Sequence, residues 1–109
     1  LTPLSHGEKT LSCRRFDCST HTLLEPKTFA VSPVVLVEGA YSMHPALRAF
    51  YDFAAFLSID PQLQRARILQ RNGEDGLRQF EERWIPLENR YFSALGVVAA
   101  CRFQLTARD

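Results

Sequence analysis

The chain of 109 residues carries 13 basic and 12 acidic side chains, for a formal charge of +1, with 46% hydrophobic and 23% charged residues. That balance belongs to an ordinary folded domain, and the length allows one domain that buries roughly two-thirds of its unfolded surface. The broad basic field of a non-specific nucleic-acid binder is lacking, and no apolar run reaches the ~20 residues that span a bilayer.

Cys13, Cys18 and Cys101 are odd in number and form no CxxC pair. They predict reduced thiols in a cytoplasmic protein. The sequence opens on Leu1 with no signal-peptide pattern, and it is expected to be part of a longer chain.

Residues 1–9 read as polar and irregular. Residues 10–16 and 27–31 are short β-compatible stretches, and the Cys-, Ser- and Thr-rich residues between them suit a hairpin or a broad loop. Val34, Val35, Leu36 and Val37 form a continuous apolar run between Pro33 and Glu38-Gly39. Without alternation, such a run predicts a strand covered on both faces, as in a parallel sheet. Residues 53–59 have the same character. The intervening stretch is long enough for a parallel crossover, with a short helix from Pro45.

Asp60-Pro61 predicts a helix start. The Asp carboxylate accepts from the free amides of the first turn, and proline there loses no useful donor. The helix is expected to end near Arg71, where Asn72-Gly73 stops it. Leu77, Phe80, Trp84, Leu87, Tyr91 and Leu95 then recur at intervals of three and four, a helical stripe that reads as core packing. Pro86 falls inside it and must break or kink that helix. Residues 101–106 suggest a last strand. The alternation predicts an α/β fold with a mostly parallel sheet.

Ligands of open parallel sheets bind beyond the carboxyl ends of the strands. Glu38 stands at one such end, where a carboxylate suits either a hydrated magnesium ion or plain solvent. Asp60 stands at the other and is explained by its capping role. Arg67 and Arg71 stack on one helix face, while Arg65 points elsewhere. The pair could clamp phosphate oxygens, but a solvated basic face is the simpler reading of the pattern alone. His44 reads as a turn residue, and His21 lies in a polar loop, open to a ligand or to water.

The segments RRFDCSTH (14–21), VVLVEG (34–39), HPALRAFYD (44–52), FLSIDPQLQRARILQRNG (56–73) and RWIPLENRYF (83–92) occur in this order. Over residues 13–106 they resemble the carboxyl-terminal part of the uridine kinase family of P-loop nucleoside kinases. The resemblance implies a partial P-loop NTPase fold with a parallel sheet and a helical lid. It also implies ATP-dependent, Mg²⁺-dependent phosphoryl transfer to the 5′-hydroxyl of uridine or cytidine. Phe16, Asp17 and His21 would then belong to the nucleoside pocket, Glu38 would lie near magnesium, and Arg67 and Arg71 would meet ATP and the transferring phosphoryl. The aromatic position is usually tyrosine in that family, so Phe16 lacks its hydroxyl contact.

The departure from the family is large. No G-x-x-x-x-G-K-[ST] phosphate loop occurs, and Gly7-Glu8-Lys9-Thr10 is at most a remnant of one. The general-base Asp is also lacking. The chain is therefore expected to be the second half of a kinase domain, inactive alone, with the nucleoside and ATP as partners and neither nucleic acid nor membrane. A non-catalytic binding or regulatory module and a kinase for another small acceptor are the competing expectations. An incomplete sheet would expose an apolar edge and face, which leaves homo-oligomers open.

Overall fold

A computed structural model describes residues 1–108, and the chain divides into two units, Leu1–Glu38 and Gly39–Asp109. Each unit holds its own hydrogen-bonded elements.

In the first unit, the expected irregular start contains a one-turn helix α1 (Thr2–Ser5), begun by Pro3 in its first turn. A long antiparallel hairpin follows. Strand β1 (Thr10–Cys13) pairs with β4 (Lys27–Ala30), with Thr10 opposite Ala30 and Cys13 opposite Lys27. Strands β2 (Phe16–Asp17) and β3 (Thr22–Leu23) continue the same two legs towards the tip. Between the two ladders, residues 14–15 face residues 24–26, so the return leg holds one residue more. Pro26 sits in that excess and has no N–H to give a ladder. Arg14 bridges the irregularity, its Nε and Nη2 donating to the carbonyls of Leu24 and Leu23 at 2.9 and 3.1 Å.

The predicted strand at 34–37 is not formed. Val34 to Val37 run on without a ladder, and Leu36 is 89% exposed. A β-branched run favours strand only when something covers it, and within this unit nothing does. The predicted crossover from this run to residues 53–59 is therefore also corrected.

The second unit supplies the parallel pairing differently. Strand β5 (Ala55–Ile59) runs parallel to β6 (Phe103–Ala107), with Ala55 opposite Phe103 and Ile59 opposite Ala107. A parallel pair requires a long return, and here the return is helical throughout most of its length. It comprises α3 (Pro61–Gln79), a π-helical turn (Phe80–Trp84), α4 (Ile85–Ala94) and α5 (Val97–Ala100). The architecture is thus mixed α/β with a short two-stranded parallel sheet. A small helix α2 (Pro45–Arg48) precedes β5, with His44 Nδ1 accepting the Ala46 amide as its cap.

The cap expected at Asp60 is present: one carboxylate oxygen accepts the amides of Gln62 and Leu63 at 2.8 and 3.2 Å. The stop expected after Arg71 is a reversal rather than an end. Gly73 has φ 71° and ψ −176° while the residues on both sides are helical. Those angles are open essentially to glycine alone. Pro86 lies in the first turn of α4, where its missing N–H is tolerated. A π-helical turn stands just before it, and the Ile85 amide there donates to the Phe80 carbonyl.

Ile68, Leu77, Val97 and Cys101 are the buried apolar side chains among the described residues, and all lie in the second unit. The expected core stripe is only partly realised: Leu77 is buried and Phe80, Tyr91 and Leu95 are half-buried, but Trp84 and Leu87 are exposed. One sheet face packs through Phe56, whose ring meets Phe92 of α4 edge-on at 5.1 Å. On the other face Leu57, Phe103 and Leu105 stay exposed. No helix among the described residues is long and apolar enough to cross a membrane.

Candidate functional site

Phe16, Asp17 and His21 share the tip of the first unit's hairpin. Asp17 ends β2, and its Oδ1 accepts the Ser19 amide at 2.8 Å and the Ser19 hydroxyl at 2.6 Å. Chiefly through the Ser19 hydroxyl, these bonds hold the Asp17 carboxyl below its ordinary value. The tight turn also sets His21 at φ 54°, in the left-handed region that histidine tolerates better than most residues. The imidazole therefore turns back to meet the Phe16 ring edge-on, with centroids 6.5 Å apart. An exposed aromatic ring, an imidazole and an ionised carboxylate are thus gathered on one turn. Glu38 is exposed and follows the unpaired run 34–37, so the predicted position at the end of a strand is corrected.

Arg67 and Arg71 lie on α3, both exposed, and each is already engaged. Arg67 Nη2 donates to the Arg108 carbonyl at 2.9 Å, just past the end of β6. Arg71 Nε donates to Asn72 Oδ1 at 2.7 Å, and its guanidinium lies over the Phe80 ring at 5.7 Å. The two share a helix face, yet they have no common partner. Arg65 points elsewhere, as expected, and pairs with Glu81 at 2.9 Å.

No group of three or more His, Cys, Asp or Glu side chains able to hold a metal is gathered among the described residues. Magnesium often takes only one or two protein carboxylates, with water and substrate phosphates completing its shell. A single exposed Glu38 is chemically compatible with that role and with no fuller one. The three cysteines are free, as expected; Cys13 and Cys18 are exposed. Burial pushes the Cys101 thiol up, against a smaller opposing pull from Arg48.

No protein-family model matches the chain, and no curated protein or solved structure matches it.

One cluster had no signal in the sequence. Arg48 Nη2 donates to the Leu95 carbonyl at 2.6 Å and its Nε donates to the Met43 carbonyl at 3.0 Å. Leu95 closes α4, whose last carbonyls lack helical partners, so a guanidinium there satisfies both a lone pair and the helix dipole. Tyr91 reinforces the tie by donating its hydroxyl to the Tyr41 carbonyl at 3.2 Å, while the Tyr41 ring packs against it. The Arg48–Leu95 and Tyr91–Tyr41 partners are about fifty positions apart, and only the fold brings them together. Beside α4 an open groove of about 450 Å³ is lined by Phe56, Phe92, Asn89 and Ser93, among others.

Proposed function

We propose that this chain is the carboxyl-terminal portion of a uridine kinase-like P-loop kinase domain. In the intact protein it would help transfer the γ-phosphoryl of ATP to the 5′-hydroxyl of uridine or cytidine. The observation that carries the reading is the helical return between β5 and β6, on which Arg67 and Arg71 occupy one face of the helix that leaves the strand. A parallel pair joined through helices is the unit from which P-loop folds are built. The exposed run 34–37 and the open face of β5 and β6 are surfaces that a further α/β segment carrying a phosphate loop would cover.

On this reading Arg67 and Arg71 leave their present partners to meet phosphate oxygens, and their forked donors stabilise charge as the phosphoryl moves. Phe16 offers its ring to the base, and His21 beside it offers a hydrogen bond. Asp17 fixes the turn that presents both. Glu38 would supply one ligand to magnesium, which screens the phosphate charges. The chemistry is mostly positioning and electrostatic stabilisation.

The lack of a phosphate-loop motif in these residues favours a second reading, a non-catalytic nucleotide-binding or regulatory module. ATP turnover by the intact protein, assayed with Mg²⁺ against a panel of nucleosides, separates the two. Turnover that depends on uridine or cytidine and collapses in Arg67→Gln and Arg71→Gln supports the kinase. Nucleotide binding without turnover selects the module, and turnover only with another acceptor overturns the substrate assignment.

A further inference from the structure

The helical return between β5 and β6 reverses direction at a single residue, Gly73, whose φ of 71° and ψ of −176° no side-chain-bearing residue adopts readily. A Cβ there would meet no atom within 4 Å, so the backbone angles alone require glycine. On both sides the residues are helical and rich in Gln, Arg, Leu and Glu, which favour helix. Given a residue that prefers helical angles at 73, the two arms would join into one straight rod. The rod could no longer return β6 to the β5 of its own chain.

We propose that Gly73 is the hinge of a domain exchange: when the arms straighten, the whole segment after Gly73, from residue 74 through α4 to β6, leaves its own β5 and docks on the β5 of a second copy. Every interaction broken within the chain has an identical counterpart between chains. The parallel β5–β6 ladder, the Phe56–Phe92 edge contact, the Arg65–Glu81 pair and the Arg48–Leu95 bond would all be remade across the dimer. Exchange of an identical element is a low-cost route to a dimer, and hinge substitutions are its usual trigger. Glycine at 73 thereby favours closure of each chain on itself. The inference rests on helix geometry and is independent of the kinase reading.

The experiment uses the full chain with Cys13→Ser and Cys18→Ser, and with Ser58→Cys and Thr106→Cys placed on β5 and β6. Ser58 and Thr106 are register partners whose hydroxyl oxygens lie 3.1 Å apart. Light scattering gives the mass, and denaturing electrophoresis after mild oxidation shows whether the new disulfide lies within a chain or between chains. With Gly73 retained, dilute protein should be monomeric with the bond within the chain. With Gly73→Ala, most of the protein should become a dimer with the bond between chains. A Gly73→Ala chain that stays monomeric, or that dimerises with the bond still internal, overturns the proposal. If Gly73→Ala does not fold, refolding the Gly73 protein over a wide range of concentrations decides. An interchain-bonded fraction that rises with concentration supports exchange, and its absence at every concentration overturns it.

Discussion

Arg65 Nε donates to Glu81 Oε1 at 2.9 Å although 16 residues separate them. In a straight α-helix they would stand about 24 Å apart, far beyond the reach of two side chains. Their contact therefore records the reversal at Gly73, and the return from β5 to β6 is built as two helical arms folded against each other. Both side chains remain substantially exposed, at 57% and 44%, so the pair reports the reversal more than it enforces it.

Glu81→Gln is accordingly expected to reduce stability only slightly, by about 0.2–1 kcal/mol, as for other exposed ion pairs. Urea unfolding of the two proteins checks this, and the difference should shrink further in high salt as the pair is screened. A salt-insensitive loss of several kcal/mol would mean that the pair, rather than the apolar contacts, holds the arms together.

The Asp60 cap gives a sharper expectation. Its carboxylate satisfies two of the free amides at the start of α3. Asp60→Ala should therefore lower stability by about 1 kcal/mol. Asp60→Asn should restore most of that, because the amide oxygen still accepts. Equal losses in the two variants on denaturant titration would point to the charge at the helix start instead.

Local chemistry was legible in the sequence wherever one or two residues decide the outcome. Asp60-Pro61 announced the start of α3, and Asn72-Gly73 marked the place where its helical angles break although helix resumes beyond. Of the hairpin or broad loop open to residues 10–31, the structure forms the hairpin. What failed was inference from a run to its neighbours. The run 34–37 reads as a buried strand, but burial requires partners, and a periodicity cannot say whether partners are present. The same limit governs the stripe through Trp84 and Leu87, which reads as core and lies exposed. Among the candidate site residues, Phe16, Asp17 and His21 lie together because they are close in sequence and a tight turn joins β2 to β3. Glu38 lost the strand end that motivated its choice, and the Arg67 bond to the Arg108 carbonyl depends on a pairing of β5 with β6 that spacing does not encode.

The uneven burial makes two leucines diagnostic. Leu77 is 1% exposed and Leu36 is 89% exposed. Leu77→Ala should destabilise the protein by about 2–5 kcal/mol through lost transfer energy and the cavity left behind. Leu36→Ala should stay within about 0.5 kcal/mol, as surface substitutions do. Parallel chemical denaturation of the two variants checks both values. A core-sized loss from Leu36→Ala in a longer chain would show that a further segment covers the run 34–37 there.

The pH dependence of stability should carry a signature of Glu88. Burial pushes its carboxyl above the ordinary 4.5, so the folded state holds this proton more tightly than the unfolded chain does. A raised folded value places the favourable contribution below pH 4.5. It is lost as pH rises through the folded value, and at neutral pH the partly buried carboxylate opposes folding. Glu88→Gln keeps the shape of the side chain and removes the charge. Its melting temperature should exceed that of the parent at about pH 7, and the gap should close below the ordinary carboxylate value. Thermal unfolding followed across this range tests the sign directly: a variant less stable than the parent at neutral pH would mean that ionised Glu88 has a favourable partner outweighing its burial.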